Sequence, residues 1–423
     1  MSGREGEARV ADLLRQPALG SLMRVLNGAG EETRIVGGAL RNALLGDPVH
    51  EIDLATTATP DVVSARAEKA GFKAVPTGVE HGTMTIVVNG TPFEVTTLRE
   101  DVETHGRRAT VRFGRDFEAD ARRRDFTINA LSAGPDGRVH DYVGGLTDLG
   151  RRRVRFIGDP AARIREDYLR ILRFFRFSAE YGDGPPDPDG LAAAIRERRG
   201  VAILSRERVR LEFMKLLVTR RALEMVQTLS DAGFLGWFLG GVGDFGRLAR
   251  AIANEQQDER GPDPVRRLAA LAVMTPEDAC RLRERLRLSN DEHDRLAALG
   301  RLIAHLKSLS DPLDALMVRR LVAEHGTALL ADALAIVAGE PRPTLTAEAV
   351  QALARFASGE ESLPAFPLRG ADLVARGVPR GPRVGEILAQ AREQWLAAGC
   401  PPEISADELS IEVDGPGLTE SQK

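Results

Sequence analysis

Cysteine is nearly absent, with only Cys280 and Cys400 in a chain of 423 residues. Two thiols so far apart form neither a disulfide framework nor a metal cluster, and the simplest inference is a reduced, cytoplasmic setting. No apolar run approaches the roughly 20 residues that a spanning helix needs, so no membrane partner is expected. The opening MSGREGEARVADLL lacks a secretory apolar core. Lysine is scarce as well, five of the 58 basic residues, a bias that we attribute to genomic base composition. Internal repeats and low-complexity tracts are missing. What is present, 43% hydrophobic and 28% charged residues, suffices for a sizeable core spread over two to four domains.

The net charge of −4 argues superficially against a nucleic-acid partner, but its distribution matters more than its sum. Between Arg99 and Glu180 stand 18 Arg against 14 Asp and Glu, with clusters at Arg122 to Arg124 and Arg151 to Arg155. A local excess of this kind suits a partner gripped by its phosphates, although charge runs are more often solvated faces.

The densest chemistry lies in VGGALRNALLGDPVHEIDLATT, Val36 to Thr57. A Gly-Gly turn precedes Glu51 and Asp53, which are spaced two apart on an expected strand from Glu51 to Ala55 and so share a face. Gly37 and Gly38 let backbone approach a triphosphate, and paired carboxylates suit Mg²⁺, with Mn²⁺ as an alternative. This is the layout of two-metal nucleotidyl transfer, although many solvent-facing strands carry such acids without function. The strand expected at TPFEVTTLR offers Glu94 as a third carboxylate. Glu100 to Asp116 reads as a mobile loop, and RRRDFTINAL follows at Arg122 to Leu131. Asp125 and Asn129, four apart, would share a helical face. In EDYLRILRFFRF, Glu166 to Phe177, the spacing predicts one helix with Asp167 beside Arg170 on a polar stripe that Arg173 and Arg176 extend. An acid next to an Arg offers acceptor and donor to a base edge. A surface ion pair is the bland alternative.

Taken in order, GGALRNALLG with EID, RRRDFTINAL, DYVGGLTDL at Asp141 to Leu149, EDYLRILRFFRF, and SRERVRLEFMKLL at Ser205 to Leu217 resemble the motifs of class II tRNA nucleotidyltransferases. This is the CCA-adding family, which includes bacterial poly(A) polymerases and belongs to the polymerase β superfamily. The motifs cover residues 36 to 217, and the rest is similar mainly through RGADLVARGVPRGPRVGEIL at Arg369 to Leu388. The resemblance implies an α+β chain, with a nucleotidyltransferase head bearing a small mixed sheet (1–141), a helical nucleotide-selecting neck (142–220), and a helical body and tail that hold tRNA (221–412). Residues 413–423 are polar and expected to be disordered. It further implies metal held by Glu51 and Asp53 with Glu94 as third catalytic carboxylate. Nucleotide is handled by Gly37, Gly38, Arg41, Arg123 or Arg124, Asp125, Asn129, Asp167, Arg170, Arg173 and Arg176. The implied substrates are CTP, ATP and the tRNA 3′ end, with the elbow gripped by the body.

Two positions depart from that pattern. Glu51 stands where most relatives have Asp, and Asn42 follows Arg41 where they also have Asp. The adjacent His293 and Asp294 lack the companion His residues of a metal phosphohydrolase and read as a solvated pair. Poly(A) polymerases and enzymes adding only CC or only A share the same motifs. The acidic segment EISADELSIEVDGPGLTESQK points toward CCA addition. A catalytically silent RNA-binding scaffold is the alternative from another class.

Overall fold

The computed structural model describes residues 3–105, 108–255, 260–375 and 377–401. The expected disordered tail lies outside the described residues. The chain divides into two compact units, Met1–Phe234 and Leu235–Lys423, and the fold is α+β, as expected.

The first unit holds a sheet of seven strands in the order β3-β4-β5-β2-β1-β8-β9. Its strands are β1 (Thr33–Val36), β2 (Asp53–Thr56), β3 (Lys73–Gly78), β4 (Thr83–Val88), β5 (Thr91–Thr97), β8 (Ser132–Ala133) and β9 (Val139–His140), while β6 (Arg99–His105) and β7 (Arg108–Phe113) pair separately. Asn89 and Gly90 both take positive φ between β4 and β5, as a two-residue hairpin turn with the strands' own twist requires. All pairings in the sheet are antiparallel except β2 with β5. A parallel pair needs a crossover, and helix Pro60–Lys69 with the β3–β4 hairpin supplies it.

Three expectations are corrected. The strand expected from Glu51 begins at Asp53, because β1 ends where the chain turns at Gly37. Val36↔Asp53 is therefore the last pair, and Glu51 has no ladder partner. The stretch from Glu100, expected as a loop, forms the β6–β7 hairpin. The single helix expected from Glu166 to Phe177 is two, Pro160–Glu166 and Leu169–Tyr181, with Asp167 extended between them.

A buried aromatic cluster fixes the Leu169–Tyr181 helix to the sheet-bearing part. The rings of Phe126 and Phe156 lie 4.9 Å apart, Phe126 and Phe177 5.3 Å, and Phe156 and Phe174 5.3 Å. Edge and offset contacts of this kind add to the burial each ring already contributes. The second unit is built of helices, and the expected amphipathic segments appear as Pro264–Ala272 and Asn290–Ser308. The latter opens with a capping box of Ser289 and Glu292. No described helix is long and apolar enough to cross a membrane. His293 and Asp294 hydrogen-bond to each other at 2.9 Å.

The DYVGGLTDL segment is pinned by Asp141, whose carboxylate accepts from the backbone N–H of Val143, Gly144, Gly145 and Leu146 at 2.9 to 3.1 Å. The turn presses Gly145 so close to the chain that a Cβ there would sit 2.3 Å from the Thr127 carbonyl oxygen. Gly145→Ala is accordingly expected to cost more than about 2 kcal/mol. Gly150→Ala, in open space at the end of the same helix, should cost nothing measurable. Thermal unfolding of the two variants checks the contrast, and equal midpoints would refute it.

Candidate active site

The register of the sheet assembles the site. Val36 pairs with Asp53, and Asp53 pairs with Glu94. The end of β1, the start of β2 and the middle of β5 thus meet at one edge. Asp53 and Glu94 are laterally paired and both exposed, whereas Leu54 and Val95, the next pair, are buried on the opposite face. At the same edge Gly37 adopts φ 67° and ψ −129°, a conformation essentially restricted to glycine. It opens the helix Gly38–Leu45, so backbone N–H groups and the positive end of the helix dipole face the carboxylates.

Arg124, rather than Arg123, closes this side. Its Nη1 lies 3.3 Å from where a Gly37 Cβ would stand, and among the described residues it is the cation that acts on Asp53. Asp120 is buried and holds both arginines, accepting from Arg123 Nε at 2.9 Å and Arg124 Nε at 3.1 Å. Burial works to raise the Asp120 pKa, but Arg124 and Arg123 outweigh it and hold the carboxyl below its ordinary value.

Asp53 is shifted the other way. Desolvation by the surrounding protein comes first, then the charges of Glu94 and Glu51, and together they prevail over Arg124 and raise its pKa. Glu51 therefore acts on Asp53 although it lies outside the strand. No three His, Cys, Asp or Glu side chains among the described residues are already closed into a metal-holding group. The donor chemistry still fits a hard divalent cation, since Glu94 and Glu51 both press on Asp53 and no hydrogen bond from a described residue relieves it.

A second set of groups lines the helix Leu169–Tyr181. Asp125 is buried and accepts from the Phe126 N–H at 2.8 Å, Asn129 Nδ2 at 3.2 Å and Arg173 Nε at 2.7 Å. Arg176 Nε donates to the buried Glu212 at 2.6 Å, and Arg173 lies 3.9 Å from the same carboxylate. Arg170 does not stand beside Asp167 as the spacing predicts. It pairs with Glu166 and donates to the Arg163 carbonyl at 2.9 Å, while Asp167 accepts from Arg208 Nη2 at 2.7 Å. The break at Asp167 is the cause, because residues three apart share a face only on a continuous helix. Arg41, expected to face nucleotide, is 6% exposed and turned into the protein.

Sequence reading missed Asp120, Glu212, Arg208 and Tyr181, which organise these groups. Asp120 had a local signal, three and four residues before Arg123 and Arg124. Glu212 and Arg208 lie in the quoted SRERVRLEFMKLL motif but had no local signal of their partners, which lie 36 and 41 residues away.

A family model described as the poly A polymerase head domain matches residues 33–155. The CCA tRNA nucleotidyltransferase 1, mitochondrial, of Danio rerio is 36% identical over 394 residues, covering 89% of this chain and 86% of that protein. The CCA-adding enzyme of Limosilactobacillus fermentum is 32% identical over 384 residues, covering 90% and 92%. Among solved structures, the Bacillus stearothermophilus CCA-adding enzyme in complex with CTP superposes with a TM-score of 0.72 at 27% identity, covering 90% of this chain and 94% of that one. A head of this kind on this sheet defines a nucleotidyltransferase. The chain belongs to the class II CCA-adding tRNA nucleotidyltransferase family. Membership implies dependence on a divalent metal ion.

The raised Asp53 pKa fixes the sign of a stability effect. The fold favours the protonated form, so the stability it contributes is complete below the ordinary carboxylate value and lost as pH rises through the raised one. At pH 7 the ionised group is a cost. Asp53→Asn should raise Tm in metal-free buffer by about a degree, solvent screening keeping the gain small, and the gain should vanish toward pH 4. Mg²⁺ should raise the wild-type Tm and leave the variant unmoved. A wild type indifferent to Mg²⁺ would refute the carboxylate edge as a metal site.

Proposed function

We propose that the protein completes the 3′ end of tRNA by adding C, C and A from CTP and ATP without a nucleic-acid template. The observation that carries this reading is the in-register Asp53 and Glu94 pair beside the Gly37 turn and Arg124, in a chain whose relatives are CCA-adding enzymes. Asp53 and Glu94, with Glu51 from the preceding segment, would hold Mg²⁺, with Mn²⁺ as an alternative. Two such ions held there would supply charge stabilisation for an attacking 3′ hydroxyl oxygen and a departing pyrophosphate.

The chain's own residues do the rest. The Gly37–Gly38 turn brings backbone N–H groups to the triphosphate, and Arg124, with Arg123 behind it, neutralises its charge. Asp125, steadied by Asn129, accepts a ribose hydroxyl. Asp167 and Arg170 read the base edge by exchanging their present partners, Arg208 and Glu166, for the nucleotide. Arg173 and Arg176, aimed by Asp125 and Glu212, face phosphate. Residues 221–412 hold the tRNA body and elbow, and the working compartment is the cytoplasm, in keeping with two free cysteines.

A poly(A) polymerase is the second reading, favoured by the description of the matching head model. Purified protein with Mg²⁺ is given tRNA transcripts lacking CCA, ending in C and ending in CC, with CTP, ATP or both, and the products are sequenced. Completion to CCA followed by arrest is expected. An unbounded A tail, a partial triplet or no incorporation would each overturn the proposal in favour of a poly(A) polymerase, a specialised enzyme or a silent scaffold. In the same assay Asp53→Ala should lose about 10³-fold or more in rate, the several kcal/mol of a metal ligand, with tRNA affinity within about threefold.

A further inference from the structure

Arg41 is a buried cation hydrogen-bonded to no carboxylate among the described residues. Its Nε and Nη2 donate to Asn42 Oδ1 at 3.1 and 2.8 Å, Nη1 to Asn129 Oδ1 at 2.5 Å, and Nη2 to the Tyr181 hydroxyl at 2.6 Å. All three acceptors are neutral. The guanidinium carbon also lies 3.8 Å above the centre of the Tyr181 ring and 5.3 Å from that of Phe177. Burial, with Arg176 adding repulsion, pulls the Arg41 pKa down. A desolvated cation is costly without a counter-ion, and a π face is the strongest neutral substitute at hand.

The three acceptors belong to three parts of the site. Asn42 sits on the helix that opens at the Gly37–Gly38 turn. Asn129 is bonded to Asp125. Tyr181 ends the helix that carries Arg170, Arg173 and Arg176. Four hydrogen bonds to protein hold Arg41, which is 6% exposed.

We infer that Tyr181 and Asn42 are positioning residues for nucleotide addition, holding Arg41 as a strut that fixes the arginine-bearing helix against the Gly-Gly turn. The inference rests on the activity proposed above. With Asn at position 42 the strut has no hydrogen-bonded carboxylate among the described residues, Asp125 and Asp47 acting on it only through space, so the aromatic ring and hydroxyl of Tyr181 supply its closest contacts beside the two amides. Asp at position 42 would supply one at the 2.8 Å contact and make Tyr181 dispensable. Among the described residues the substitution gives up the exposed Asn42 Nδ2 bond to the Pro48 carbonyl, which water can bridge.

The test is a cycle of Tyr181→Leu, Asn42→Asp and the double variant, read by kcat, KM and Tm. CTP is added to tRNA lacking CCA and ATP to tRNA ending in CC. Tyr181→Leu should lower kcat about tenfold for both nucleotides and raise KM for both, because the displaced helix carries the arginines proposed to bind them as well as to set the in-line geometry. Asn42→Asp in that background should return kcat to within about threefold of wild type and at least halve the loss in Tm. An unchanged kcat in Tyr181→Leu, or no recovery in the double variant, would overturn the strut. If Tyr181→Leu does not fold, Tyr181→Phe, which keeps the ring and loses the hydroxyl, carries the same comparison. A wild type that adds no nucleotide sinks the functional reading instead, and the Tm coupling then decides the strut alone.

Discussion

The parallel pairing of β2 with β5 is the constraint on which the site depends. It sets Asp53 directly beside Glu94, both on the face away from the core. Like charges directly opposite across a ladder are destabilising, and desolvation together with that repulsion raises the Asp53 pKa. The sheet can sustain it because the buried partners on the other face, Leu54 and Val95, fix the register. A slip by one residue would turn both carboxylates into the core. Stability is thus given up at one edge for a cation-seeking arrangement and recovered from apolar burial beneath it.

The arginines around this edge show a complementary economy. Arg124 and Arg123 rest on Asp120, Arg173 on Asp125, Arg176 on Glu212, Arg170 on Glu166 and Arg208 on Asp167. Each guanidinium is aimed before any anion arrives, so less side-chain entropy is lost on binding. The buried members, Asp120, Asp125 and Glu212, act as fixed supports. The exposed pairs, Arg170 with Glu166 and Arg208 with Asp167, are worth little in themselves and exchange partners readily. The two residues proposed to read the base thus sit in the weak pairs, whereas the arginines proposed to face phosphate are aimed by the buried carboxylates.

Much of this was legible in the sequence, for identifiable reasons. β5 was legible in TPFEVTTLR, and the Gly-Gly turn with its paired acids marked the edge. Strand ends were not legible, because where β2 begins depends on where β1 stops, a fact of pairing rather than propensity. The helix break at Asp167 was hidden for a similar reason. The apolar period runs through it unbroken, and the segment departs from it only in three dimensions, where Asp167 turns to Arg208 on another helix. Asp125 and Asn129 were found by spacing and do bond to each other, but as the flank of a short turn rather than on a helix.

The scarcity of lysine, whatever its genomic origin, has a structural use. In the second unit Arg266 is buried against Glu255 and Asp332, Arg267 against Glu255, and Arg247 against Glu340 and the Val273 carbonyl. A planar fork of five donors can satisfy two acceptors at fixed angles, whereas an ammonium is a compact point charge more costly to desolvate. Such pairs are poor contributors to net stability but severe when one partner is lost, so they specify a single arrangement of the helices they join. The pattern throws Arg41 into relief. The other buried arginines above are matched by carboxylates, whereas Arg41 is held by two amides and a phenol, at the junction of the Gly-Gly turn with the arginine-bearing helix. With Asp125 and Asp47 acting on it only through space, this charge makes the junction tight in geometry yet more sensitive to the field of an anion bound nearby than a hydrogen-bonded ion pair would be.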